Sequence, residues 1–129
     1  MRPRFHLDTD FFVYALVVAG PERARLRELN ESGAELKMSA IAWYELSRGP
    51  RTPAQLAVAR DALDDDGVVP FDAPTAERAA DLFRALGSPR KRAQDIAIAA
   101  TAIAAGATLL SRNARDFRGI DGLSLEVVS

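Results

Sequence analysis

The chain has 129 residues, 48% of them hydrophobic and 27% charged, with a formal net charge of −1 and no cysteine. That describes one soluble globular domain, long enough to bury roughly two-thirds of its unfolded surface without disulfides or a structural metal. The absence of cysteine removes thiolate chemistry, and a single histidine removes paired-histidine mechanisms and the usual zinc sites, so a catalyst here is expected to use carboxylates, hydroxyls, amides or arginine.

Along the chain, strand-length apolar segments alternate with helix-length ones, the pattern of βα units around a largely parallel sheet. Residues 4–8 read as a first strand closed by Asp8, and Thr9 or Asp10 can cap a helix over 11–19 that Gly20 and Pro21 terminate. The carboxylates of Asp8 and Asp10 cancel Arg2 and Arg4 ahead of that apolar run, and the run is half of what a membrane span needs. A cytoplasmic protein with no leader and no membrane segment is therefore expected. An amphipathic helix over 22–30 comes next, then a strand over 36–39, a helix over 40–48 stopped by Gly49-Pro50, and another over 53–63. Asp66-Gly67 turns into a third strand over 68–71. A helix over 74–86 follows, and then 95–105, an almost wholly apolar helix that has to be buried and that Gly106 ends. Strands over 107–110 and 125–128 complete five, with one helical turn predicted at 113–117. The expected fold class is α/β.

Ligands of open parallel sheets sit beyond the carboxyl ends of the strands, where the strand order reverses. Asp8 closes the first strand, Asn113 and Asp116 lie just past the fourth, Asp95 opens the apolar helix, and Glu45 lies inside the helix after the second strand. Carboxylates brought together with no histidine or thiolate make an oxygen-only site, which suits Mg²⁺ or Mn²⁺ and not zinc or copper. Without a cation they raise one another's pKa and destabilise the fold.

Each residue also has a plainer use. Asp8, Asn113 and Asp116 suit turns or caps, Asp95 complements a helix dipole, and Glu45 is spaced to pair with Arg48 at i+3. Asp95 stands apart because the helix behind it is apolar, and an unpaired carboxylate near a core is costly. The acidic triplet at 64–66 precedes the third strand, so it belongs to a solvated turn at the opposite end of the sheet. His6 alternates into the first strand and is expected to pack rather than react, and Trp43 and Tyr44 are expected to be core or interface aromatics.

The order and neighbours of these residues resemble the PIN-domain ribonucleases, and within them the VapC-type toxins of bacterial toxin–antitoxin pairs. The resemblance covers the whole chain. It rests on Leu7-Asp8-Thr9-Asp10, Trp43-Tyr44-Glu45-Leu46, Asp95-Ile96-Ala97-Ile98-Ala99-Ala100, and Leu110-Ser111-Arg112-Asn113-Ala114-Arg115-Asp116-Phe117, with the closing Leu125-Glu126-Val127-Val128. One departure is Asp10, where such proteins often carry asparagine. The resemblance implies a three-layer α/β/α sandwich with a central parallel five-stranded sheet and an acidic pocket of Asp8, Glu45, Asp95 and Asp116, supported by Asn113 or Thr9. Asp8, Asp95 and Asp116 are the expected ligands of Mg²⁺ or Mn²⁺, and Glu45 orients or deprotonates the attacking water in phosphodiester hydrolysis. Cationic help for RNA is expected from Arg90, Lys91 and Arg92 before the apolar helix and from Arg112, Arg115 and Arg118 after the fourth strand. A VapB-type antitoxin, laid over the helices at 11–19 and 41–46, and a homodimer are the partners the resemblance implies.

Two other classes compete with this one. Asp8-Thr9-Asp10 also begins the signature of haloacid-dehalogenase phosphatases, but Phe12 breaks it, and a phospho-acceptor receiver would need a late lysine where the only lysines are Lys37 and Lys91. A PIN-like fold kept for binding, without turnover, is the non-enzymatic alternative. Metal-dependent cleavage separates it from the nuclease.

Overall fold

The strand-length apolar runs pair with one another, and each βα crossover between them lays its helices on the sheet. In the computed structural model, which describes residues 2–128, the order is β1 (Arg4–Leu7), α1 (Thr9–Val17), α2 (Pro21–Glu31), β2 (Glu35–Ser39), α3 (Ala40–Arg48), α4 (Pro53–Ala62), β3 (Val68–Val69), α5 (Ala73–Ala85), α6 (Ala93–Ala105), β4 (Thr108–Ser111) and β5 (Ser124–Val127). Two 3-10 turns, Arg90–Arg92 and Ala114–Phe117, complete it. The five strands form one parallel sheet in the order β3-β2-β1-β4-β5.

The chain steps outward from β1 to β3 and then recrosses to β4 and β5 on the other side of β1. Right-handed crossovers made in opposite directions place α1–α4 on one face and α5 and α6 on the other. Accordingly α1 packs against α2, α3 and α4, and α5 packs against α6. This is the expected three-layer α/β/α arrangement. Leu7, Leu36, Met38, Leu109 and Leu110 from the strands, and Phe11, Phe12, Leu46, Ile96 and Ile98 from the helices, form its buried core. Each such side chain contributes about 1.5–3 kcal/mol on burial.

Local differences from the sequence expectations have identifiable causes. β1 ends at Leu7, and the cap of α1 is Asp8 rather than Thr9 or Asp10, because the Asp8 side chain accepts a hydrogen bond from the Thr9 amide. α1 stops at Val17, where Val18 turns extended and releases the chain into Gly20-Pro21. β3 has only two residues, since Pro70 supplies no amide to continue the ladder. Gly67 feeds that strand from a turn so tight that a Cβ there would lie 2.5 Å from the Leu63 side chain. The apolar helix starts at Ala93 and ends, as expected, at Gly106, whose φ of 65° is the left-handed conformation glycine adopts without cost.

The acidic triplet sits where expected, at the far end of the sheet from the carboxyl edge. Asp64 meets Arg2, and Asp66 meets Lys37 at 3.0 Å. No helix among the described residues is long and apolar enough to cross a membrane.

Candidate active site

β1 and β4 are neighbours from which the chain departs in opposite directions, so a crevice opens beyond their carboxyl ends. Asp8 stands there. Its amide donates to the Leu110 carbonyl at 2.9 Å, Oδ1 accepts from the Thr9 amide at 2.9 Å, and Oδ2 accepts from Ser111 Oγ at 3.0 Å. Ser111, the last residue of β4, is fully buried and also accepts from the Asn113 amide at 3.0 Å. Burial pushes the Asp8 carboxyl up to about 7, with Asp95 adding to the rise and the Ser111 and Thr9 hydrogen bonds opposing it.

Ser39 caps α3, which carries Glu45 from its sixth position towards the same crevice. Thr9 Oγ1 donates to Glu45 Oε1 at 2.8 Å, which ties the first turn of α1 to α3. Asp95 lies in the first turn of α6, where the helix dipole favours a carboxylate. Its carboxyl is nonetheless pushed up to about 6, first by burial and then by Asp116, Glu45 and Asp10. Asp116 rides on the second 3-10 turn, which the buried Phe117 anchors from below. Arg92 anchors it from the side, its Nη2 donating to the carbonyls of Asp116 at 3.3 Å and Arg118 at 2.6 Å.

Asp8, Thr9, Glu45, Asp95 and Asp116 thus line one cleft of about 410 Å³, joined there by Asp10, Arg48 and Arg51. The donors are oxygens throughout, and carboxyls raised by burial and mutual repulsion hold charge that a divalent cation would neutralise. By chemistry the residues fit Mg²⁺ or Mn²⁺. Among the described residues no three His, Cys, Asp or Glu side chains stand close enough to hold an ion as they are, so closing on a cation requires these carboxylates to swing inward.

The remaining expected residues fall elsewhere. Asn113 caps the 3-10 turn, its Oδ1 accepting from the Arg115 amide at 3.0 Å, and reaches the cleft only through Ser111. Arg112 is engaged away from the cleft, where Nε donates to the buried Glu22 at 2.9 Å and the guanidinium stacks 3.4 Å from the centre of the Tyr14 ring. That pair holds the Glu22 carboxyl below its usual range. Arg92 is a brace for the Asp116 loop, while Arg90, Lys91, Arg115 and Arg118 are exposed and line no part of the cleft. His6 is buried beside Lys37, and burial lowers it to about 4, so it is neutral and away from the carboxylates. Trp43 is partly buried against the core and Tyr44 is exposed.

Three contributors escaped the sequence reading. Ser111 gives no signal in an apolar strand, Arg48 reads as an i+3 partner of Glu45, and Arg51 reads as part of a Gly-Pro turn. No signal in the sequence pointed towards the two arginines.

The model of the PIN domain family matches residues 6–123. None of the curated proteins matches closely enough to count. Among solved structures, a chain of VapBC2 from Rickettsia felis, bound to a DNA fragment from its promoter, is 24% identical, with 96% of this chain and 98% of that chain covered and a TM-score of 0.77. A chain of the DNA-bound VapBC from Salmonella typhimurium is 23% identical, with 98% of each chain covered and a TM-score of 0.72. A chain of a toxin–antitoxin complex from Klebsiella pneumoniae is 26% identical over 94% of each chain, with a TM-score of 0.67.

Proposed function

Because this chain belongs to the PIN domain family, we propose that it is a metal-dependent ribonuclease and the toxin of a VapBC-type toxin–antitoxin pair. One observation carries the reading. Asp8, Glu45, Asp95 and Asp116, drawn from four distant stretches of sequence, converge on a single oxygen-lined cleft at the reversal point of the sheet.

Asp8, Asp95 and Asp116 are the residues that would hold Mg²⁺ or Mn²⁺. When bound, the ion supplies Lewis acidity at a phosphate oxygen and a water of lowered pKa. Ser111 and the Thr9 amide fix both oxygens of Asp8, so its orientation is set before any ligand arrives. Glu45, held by the Thr9 hydroxyl, orients the attacking water and takes its proton.

The partner half of the reading is supported by the complexes in which the similar chains occur. Tyr14 and Val17 from α1, Val18 just after it, Tyr44 from α3 and Val58 from α4 are exposed apolar side chains. A small hollow lined by Leu16, Ala54 and Val58 lies between α1 and α4. This face suits the apolar side of a VapB-type antitoxin segment.

The test is cleavage of total RNA by the purified, antitoxin-free protein with Mg²⁺ or Mn²⁺, with EDTA, and with Asp8→Asn and Asp95→Asn. Discrete fragments only with metal, and activity reduced at least about 100-fold in both variants, are expected. Cleavage that survives both substitutions assigns the activity to a contaminant. Metal binding without any cleavage returns the chain to the non-enzymatic class.

A further inference from the structure

A polyanion cannot enter a cleft of five carboxylates unless some cation inside it meets a phosphate. The sequence pointed for this to Arg90, Lys91, Arg92, Arg112 and Arg115, none of which lines the cleft. Arg48 and Arg51 do, and among the described residues neither makes an ion pair with a carboxylate. Arg48 is exposed, with its guanidinium 5.2 Å from the centre of the Tyr44 ring. Arg51 is different. It is half-buried, its Nε is shut off from solvent without any hydrogen-bond partner, and its one side-chain hydrogen bond is a long one of 3.4 Å from Nη1 to the Pro50 carbonyl.

The backbone explains why this side chain is held where it is. Gly49 ends α3 in an extended conformation, Pro50 fixes the next φ, and the Arg51 amide folds back onto the Gly49 carbonyl at 2.7 Å. The following residue, Thr52, opens α4 with a reciprocal cap, in which the Gln55 amide donates to Thr52 Oγ1 at 3.1 Å and the Thr52 amide donates to Gln55 Oε1 at 2.9 Å. Arg51 therefore rides on a rigid joint between two helix ends. The carboxyl end of α3 beside it favours a positive charge. A guanidinium on a fixed backbone, with unused donors and a cleft in front of it, matches the fork geometry of a phosphate.

We propose that Arg51 grips a backbone phosphate of the RNA strand in this cleft, with Arg48 as a second, looser cation at its mouth. The proposal rests on the ribonuclease reading above and adds to it the group that admits the substrate.

The experiment is steady-state cleavage of the RNA that the wild-type protein cuts, compared for wild type, Arg51→Gln, Arg51→Lys and Arg48→Gln, with melting temperature and Mn²⁺ binding measured on each. Arg51→Gln is expected to raise KM about tenfold with kcat within about threefold, and Arg51→Lys to recover only part of the loss because it restores charge without the fork. The slope of log affinity against log salt should become shallower by about 0.7 in Arg51→Gln, the share of one phosphate contact on single-stranded nucleic acid. If Arg51→Gln does not fold, the increase in KM of Arg51→Lys carries the test. A wild type that cuts RNA, with Arg51 variants of unchanged KM and salt slope, overturns this proposal alone. A wild type that cuts no RNA with metal overturns the ribonuclease reading and this proposal with it.

Discussion

Asp8 does three things at once. It caps α1 through Oδ1, accepts from Ser111 through Oδ2, and contributes a buried negative charge to the cleft. Asparagine keeps the cap and the shape and removes the charge, and its amide nitrogen in place of Oδ2 turns Ser111 Oγ from donor to acceptor. The sign follows from the raised carboxyl. From its ordinary value near 3.8 up to about 7, the folded protein retains a proton that the unfolded chain has shed, so the Asp8 contribution to stability falls as pH rises through this window and is fully unfavourable above it. Metal-free Asp8→Asn should therefore melt above wild type at pH 8, and the gap should narrow towards pH 5 by on the order of 2 kcal/mol. Thermal denaturation of both proteins across that range checks it, and a gap that stays constant with pH would show that Asp8 is not charged at the expense of the fold. Asp8 was legible in the sequence because a carboxylate closing the first strand falls at the carboxyl edge of the sheet, where ligands of parallel sheets sit. Ser111 was not, since a serine at the end of an apolar strand looks like any strand end until its partner across the sheet is known.

Elements were legible where periodicity was strong and blurred where a cap or a turn decided the boundary. α6 announces itself by an almost wholly apolar run ended by Gly106, whereas the start of α1 depended on its cap, for which the sequence suggested Thr9 or Asp10 and the Thr9 amide bond reveals Asp8. The basic cluster Arg90–Arg92 proved to be a 3-10 turn that launches α6, and Arg92 was spent on bracing the Asp116 loop. Arg112 shows the same lesson between elements. It leaves β4 and reaches across to Glu22 of α2 and Tyr14 of α1, so it clamps the loop after β4 to the helical layer. Removing it leaves Glu22 buried without its partner. Arg112→Ala should lower the melting temperature while RNA cleavage per folded molecule stays at the wild-type level. Unchanged stability with reduced cleavage would return Arg112 to the substrate.

At the scale of the whole molecule, the site is a consequence of topology. Residues as far apart in sequence as Asp8 and Asp116 meet because β1 lies between β2 and β4, and the chain leaves it first one way and then the other. The order of strand-like and helix-like segments made the α/β class readable, and the four carboxylates could be named from where they fall relative to strand ends. The arginines beside them could not, because Arg48 looks like a partner of Glu45 at the end of α3 and Arg51 reaches the cleft from the turn that joins α3 to α4, and nothing in Gly49-Pro50-Arg51 says which way that turn faces. A net charge of −1 fits the proposal that a few placed arginines, rather than a basic surface, meet the RNA. The central claim is that Asp8, Asp95 and Asp116, dispersed in the sequence, act as one cation site, and calorimetric titration of the purified protein with Mn²⁺ tests it most directly. Saturable binding by wild type that is lost, or weakened at least about tenfold, in both Asp8→Asn and Asp95→Asn is the predicted result. Binding of equal strength in wild type and both variants, or no binding by any of them, would contradict it.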